Sequence, residues 1–430
     1  MYGIIILKSD VESVHQTSRV SQEAWLVLAL LTTAMAISFA DRYVLAMLIE
    51  PIKKDLGFSD SKIGFITGFA FSAFYALFGL LIARISDSYG VRRVIIASLV
   101  FWSLMTALCG AAQNFIQMLL VRFGVGAGEA GVAPAAHATL ARMFPRDRRS
   151  LPLAVFSAGG PAGIVFALLT SGYLENLIGW RWTFLIMSLP GLILAAVILR
   201  YIKLIPDRGL GAQPTESSGG NWAAIKSLFR TPSFISINLL LSALVFFAFG
   251  QAQWIPAYFE RSFGATRADL GLTLALTQGI GMIIGVVAGG LFSDWLMIRN
   301  PKLRNYFIAA TLVAAAPLAV SVFLVSTMKM ASIFIALATL LTALPSGALW
   351  ASIQDAAPDR FRATGSAFAM MVASMLGLGL GPLLIGVLSD LLAHEHGIHS
   401  LRFALLYSVT CTGILMLAPI ASIIAAQRRA

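Results

Sequence analysis

The sequence predicts an all-α membrane protein: twelve transmembrane helices in two pseudo-symmetric six-helix bundles. Three observations predict it. The composition is 58% hydrophobic and only 12% charged, about half the charge of a soluble chain. Apolar runs long enough to cross a bilayer recur from Ala24 almost to the C-terminus. A single long polar interruption, IPDRGLGAQPTESSGGNW at 205–222, carries the Gly, Pro and Ser of a linker and divides the runs into two sets of six. A transmembrane barrel is excluded, because its strands alternate apolar and polar residues over short segments.

Measured against a span of about 20 residues, the helices fall near 24–49, 62–84, 91–112, 115–141, 151–175 and 181–203 in the first half. In the second half they fall near 233–258, 268–297, 305–327, 331–354, 361–392 and 401–426. The expected organisation is a cytoplasmic N-terminal segment (1–23), a first bundle (24–203), a cytoplasmic linker (204–231) and a second bundle (232–427). The segment YGIIIL near the N-terminus is too short for a signal-peptide core, so the first helix is expected to be retained.

Basic residues set the expected orientation. With the N-terminus inside, the outer segments hold only Lys53, Lys54, Lys62, Arg181, Arg261, Arg267, Lys329 and Arg402. Most other Lys and Arg residues lie inside, which places both termini and the linker in the cytoplasm. The net charge of +11 thus serves topology rather than nucleic-acid binding. The absence of Asn-x-Ser/Thr sequons favours a bacterial inner membrane. Cys109 and Cys411 lie in separate apolar runs and read as small packing residues.

The halves repeat each other. The second helix of each ends alike, ARISDSYGVRR against GLFSDWLMIRNPKLR, with Asp87 and Asp294 in the same place. The fifth helices end in SGYLEN and IGVLSD, and the basic loops before them read PRDRR and PDRFR. Internal repetition on an even helix count is a signature of alternating-access transporters.

At these residues the chain resembles the major facilitator superfamily. That family's loop after the second helix runs roughly G-x-L-A-D-R-x-G-R-R/K. Here the segment from Ala83 to Arg93 keeps Asp87, Gly90, Arg92 and Arg93 and departs at Ala83, Ser88 and Val91. The fourth helix keeps R-x-x-x-G-x-G as Arg122, Gly126 and Gly128. A narrower resemblance is to the spinster-like branch, which is associated with sphingolipids and lysophospholipids. Asp41-Arg42-Tyr43, the stretch Arg122 to Ala130 and Trp254-Ile255-Pro256-Ala257-Tyr258 carry it. The resemblance implies a major facilitator fold with helices one and four beside a central cavity. It also implies a cytoplasmic latch at Asp87, with Arg92, Arg93, Arg148, Arg149, Asp294, Arg360 and Arg362 as companions.

Asp41 and Glu129 are the only acids deep in an apolar run, and Arg42 and Arg122 the only deep bases. A mid-helix charge costs roughly 2.5–3.5 kcal/mol on insertion scales, so these four require partners or water. Asp41 and Arg42 project about 100° apart, whereas Arg122 and Glu129, seven apart, return to nearly one face. The functional reading is a proton-coupled binding site: Asp41 and Glu129 carry protons, and Arg42 and Arg122 hold an anionic headgroup through planar hydrogen-bonding forks. The alternative is an ion pair that only locks the first helix to the fourth.

Tyr75, Gln251, Trp254 and Tyr258 are expected to line the substrate cavity, against the alternative of plain packing. Gly160-Pro161 and Gly381-Pro382 read as bending points or as close packing. His137 reads as a proton relay or a packed histidine; His394, His396 and His399 read as a solvated loop, with metal binding as the alternative. No Walker A sequence, nucleophile–base pair or metal-ligand pattern stands out, so no enzyme activity, ATP use, cofactor or metal is expected. The expected function is proton-coupled secondary transport of an amphiphilic or lipid-like anion by a monomer. The alternatives are a general organic-anion or multidrug/proton antiporter and, in another class, an uncoupled channel or lipid scramblase.

Overall fold

The structure, a computed structural model, describes residues 22–145, 150–201, 228, 231–300, 302–357 and 362–429. Their regular elements are all helical, with no strand among the described residues. Among the described residues, ten stretches are long and apolar enough to cross a membrane. Two of them, Leu151–Arg200 at 50 residues and Gly365–Ala426 at 62, are each too long for one crossing. Each breaks at a glycine with positive φ, Gly179 at 77° and Gly397 at 52°, which divides the described residues into twelve span-length segments, in keeping with the expected count.

In chain order, span 1 is Gln22–Met47, followed by a short helix Ile49–Leu56. Span 2 joins Asp60–Gly64, Phe65–Ala70 and Phe71–Tyr89; span 3 is Val91–Cys109; span 4 joins Phe115–Glu129 and Val132–Met143. Spans 5 and 6 share Ser150–Tyr201. Span 7 joins Pro232–Val245 and Phe246–Gly250 and is followed by Ile255–Phe263. Span 8 joins Arg267–Leu274, Ala275–Ile280 and Gly281–Arg299; span 9 is Leu303–Leu324; span 10 joins Met328–Ala343 and Ser346–Ala356. Span 11 joins Arg362–Ala373, Ser374–Leu380 and Gly381–His396, and span 12 is Ser400–Arg429.

Several runs that read as single helices are broken, and proline gives the reason. Pro51, Pro134 and Pro256 each lack the N–H that a continuous helix would send four residues back, to Met47, Ala130 and Ala252. The breaks fall at Leu48, Ala130–Gly131 and Gln253–Trp254. In span 10, Pro345 sits at the break itself. Spans 2, 7, 8 and 11 each contain a π-helical segment, at Phe65–Ala70, Phe246–Gly250, Ala275–Ile280 and Ser374–Leu380. Such wide turns recur at functional sites.

Glycine sets how closely the spans approach. A Cβ on Gly163 of span 5 would fall 1.9 Å from Ala36 O of span 1, and one on Gly126 of span 4 would fall 2.5 Å from Phe71 O of span 2. The second half repeats this plan: Gly381 of span 11 meets Gly250 of span 7, and Gly289 of span 8 meets Leu344 O of span 10. The halves touch each other along two crossings. Gly64 and Gly68 of span 2 lie on Pro382 O and Gly379 O of span 11; Gly271 of span 8 lies on Leu168 O of span 5. Small residues at such crossings let helix backbones come together inside a membrane. Both crossings involve the starts of spans 2 and 8, so the halves are closed at the Asp60 end.

Candidate functional site

The four deep charges gather between spans 1 and 4. Arg42 Nε donates to Glu129 Oε2 at 2.8 Å, and Ser38 Oγ, one turn back on span 1, donates to the same oxygen at 2.7 Å. Arg42 Nη2 also reaches Ser38 Oγ at 3.4 Å. The Glu129 side chain is fully buried, whereas 13% of the Arg42 side chain remains accessible. The guanidinium carbon of Arg42 lies 4.9, 4.7 and 5.1 Å from the ring centres of Phe39, Phe71 and Tyr75. Rings at that distance attract a cation by their quadrupoles. Arg42 is thus the member of the cluster with accessible side-chain surface.

Asp41 points elsewhere, as the 100° step between neighbouring helix positions requires. It is buried, and Thr106 Oγ1 of span 3 donates to its Oδ2 at 3.2 Å. Arg122 is also buried, with its guanidinium 5.5 Å from the Phe71 ring. Both guanidiniums thus lie close to the Phe71 ring. Four polar groups of the cluster have no hydrogen-bond partner among the described residues: Asp41 Oδ1, Glu129 Oε1, and Nε and Nη1 of Arg122. Unpaired groups of this kind are costly away from water, and three of the four charged side chains here carry at least one.

The remaining candidate lining residues are placed differently. Gln251 is buried with its Nε2 unpartnered. Trp254 and Tyr258 are fully buried, and their polar atoms are taken up by backbone: Trp254 Nε1 donates to Pro382 O at 2.9 Å and Tyr258 Oη to Val322 O at 3.0 Å. Tyr258 packs in a cluster with Phe259, Phe263 and Phe323. A separate apolar groove of about 410 Å³, lined by Phe74, Phe78, Phe101 and Phe123 among others, includes none of the four charges. His137 is exposed on span 4 and meets the Phe156 ring edge-on.

At the opposite end, Arg148, Arg149 and Arg360 lie outside the described residues, as do the side chains of Asp87 and Arg362. Arg92 donates to Leu199 O at 2.8 Å, capping the end of span 6 within its own half. Arg93 and Asp294 are exposed. The bending-point residues are closely packed: a Cβ on Gly160 would lie 3.3 Å from the Phe39 ring, and Pro382 opens Gly381–His396.

Lys53, Arg261 and Arg267 stand out in the sequence only as topology markers, yet they organise the closed end. Arg261 grips Asp60 with two bonds of 2.7 Å and donates from Nε to Glu50 at 2.8 Å. Asp390 accepts the backbone N–H groups of Asp60 and Ser61 at 3.0 and 2.8 Å. Arg267 pairs with Glu175 at 2.5 Å and Glu260 at 2.8 Å. Burial pushes the Glu260 carboxyl above its ordinary range, opposed by Arg267. A legible signal exists for these residues: GFSDSKIG and GATRADLG occupy the same place in the two halves.

Comparison with known proteins agrees with this architecture. The family model described as Major Facilitator Superfamily matches residues 31–382. An MFS-type efflux pump of Mycolicibacterium smegmatis (strain ATCC 700084 / mc(2)155) is 32% identical over 405 residues, covering 94% of this chain and 93% of that protein. The hexuronate transporter of Bacillus subtilis (strain 168) is 25% identical over 85% of this chain and 87% of its own length. The crystal structure of a bacterial homolog to the human lysosomal transporter Spinster, inward-facing and unoccupied, superposes with a TM-score of 0.82 at 25% identity, covering 95% of this chain and 98% of that one. The two repeated halves, closed upon each other at one end, are thus those of a chain that belongs to the Major Facilitator Superfamily.

Proposed function

We propose that the protein is a proton-coupled secondary transporter of an amphiphilic or lipid-like anion, working by alternating access from the bacterial inner membrane with both termini in the cytoplasm. The observation that carries this reading is the Arg42–Glu129 pair, a mid-span guanidinium held by one carboxylate oxygen beside aromatic rings. An anion that enters takes the Arg42 fork from Glu129. The displaced carboxylate is then relieved of its buried charge by a proton. By reciprocity, protonation of Glu129 frees Arg42 for the anion. Asp41 and Arg122 extend the same exchange one layer back, through their unpartnered atoms. Phe39, Phe71 and Tyr75 suit the apolar part of an amphiphile.

A second reading, transport of small organic anions or drugs, draws support from the hexuronate and efflux relatives. The arginine chemistry serves either a phosphate or a carboxylate. The protein is reconstituted into liposomes and challenged with a pH gradient. Uphill accumulation of an anionic lysophospholipid supports the first reading, and accumulation of glucuronate the second. Gradient-independent equilibration of either probe would indicate an uncoupled channel or scramblase instead.

A further inference from the structure

The closed end is built from two repeat-related ion pairs whose signs are exchanged. Aligning Gly57 with Gly264 sets Lys53 against Glu260, Ser59 against Thr266, Asp60 against Arg267 and Gly64 against Gly271. The structure supports this alignment in detail. Gly57 and Gly264 have φ of 65° and 62° and donate to Lys53 O and Glu260 O. Ser59 and Thr266 are both helix N-caps, accepting from the N–H three residues on. In the first half Lys53 pairs with Asp60; in the second Arg267 pairs with Glu260, at the same spacing of seven.

Each helix-start residue is also held by the other half at a matching position. Ser389 Oγ donates to Asp60 Oδ2 at 2.7 Å, and Arg267 Nη1 donates to Glu175 Oε2 at 2.5 Å. Aligning Gly172 with Gly386 sets Glu175 against Ser389. Beneath them the backbones touch: a Cβ on Gly386 would lie 2.3 Å from Asp60 O, and one on Gly172 would lie 2.3 Å from Arg267 O. The exchange of sign makes the two sides unequal. Arg261, next to Glu260, finds an acid across the interface and grips Asp60 and Glu50. Its counterpart Lys54 has the basic Arg267 at the matching position and is exposed.

We propose that Lys53–Asp60 and Glu260–Arg267 are a sign-exchanged gate, with Arg261 as its bolt, that sets how often the Asp60 end of the transport pathway opens. The proposal rests on alternating access but on neither proton coupling nor the substrate, so a distance measurement separates its failure from theirs. Spin labels replace Gln113 and Lys329, both exposed, in a Cys109→Ser/Cys411→Ser background in lipid nanodiscs. The Lys53→Glu/Asp60→Arg variant keeps a local pair at the same spacing but sets Arg261 against a like charge. The expected result is a rise of at least about tenfold in the ratio of open to closed populations, about 1.4 kcal/mol. Adding Arg261→Glu should return the distribution toward the starting one. A purely local role predicts no change in the double variant, and that result overturns the proposal, as does failure of the third substitution to reclose the end. Should the double variant not fold, Asp60→Asn is measured in the same way: an unchanged ratio overturns the proposal, and an increase supports it.

Discussion

Removing Arg42 should harm the protein more than removing Arg42 and the Glu129 charge together. Arg42→Ala deletes the 2.8 Å donor to Glu129 and leaves a carboxylate with no accessible side-chain surface, held only by Ser38 at 2.7 Å. Breaking a buried pair from one side costs about 3–5 kcal/mol, because the surviving charge is uncompensated. The lower end applies here, since Ser38 still donates to the Glu129 carboxylate. Glu129→Gln added to Arg42→Ala removes that charge but keeps the shape and an acceptor for Ser38. The double variant should therefore recover about 2 kcal/mol of the loss, the difference between an unpaired buried charge and a neutral hydrogen-bonded amide. The assay is thermal melting of purified protein at pH 8, followed by tryptophan fluorescence. At pH 8 the double variant should melt above Arg42→Ala. An Arg42→Ala protein at least as stable as the double variant at pH 8 would refute the reasoning: the pair would then not be a desolvated ion pair.

Arg42→Lys should restore folding but little pH-driven uptake, because one point charge replaces neither the planar fork nor its contact with three rings; full uptake by this variant would show that charge alone suffices. Gly64→Val should disfavour closure of the Asp60 end, since its first side-chain carbon alone would lie 2.3 Å from Pro382 O; the outer-end distance distribution should shift to longer values, and an unshifted one would contradict the packing. Trp254→Phe removes the bond to Pro382 O, which should lower stability by about 1 kcal/mol in a melting experiment. It should leave anion affinity nearly unchanged if Trp254 serves packing, so a large affinity loss would restore its lining role.

The spans are legible from apolar length alone, and the polar linker separates the halves because no other connection between spans is polar for so long. The four deep charges stand out because each is expensive in a span. Their pairing is less legible. Arg122 and Glu129 share a helix face, but two turns separate them by about 10 Å along the axis. The rotation of span 1 decides the matter by bringing Arg42 to Glu129 and turning Asp41 toward Thr106. Hydrophobic periodicity cannot report that rotation where every neighbour is apolar. The breaks at Pro51, Pro134 and Pro256 have a signal in proline's missing N–H, whereas the four π-helical segments carry no comparable signal in composition. The closed-end ion pairs are obscured because their residues also fit the bland role of loop charges. Only the match of Asp60 to Arg267 across the repeat reveals them.

The central claim is that protons move with the anion through Asp41 and Glu129. Its direct test is simultaneous recording of proton and anion flux in proteoliposomes for the starting protein, Asp41→Asn, Glu129→Gln and the double variant. The probes are an anionic lysophospholipid and, in parallel, glucuronate. The account predicts anion-dependent proton movement in the starting protein and its loss in each variant, with gradient-free exchange of anion surviving in at least one. Accumulation driven by the pH gradient at the starting level in the double variant would contradict the account and leave Asp41 and Glu129 as packing partners of the two arginines.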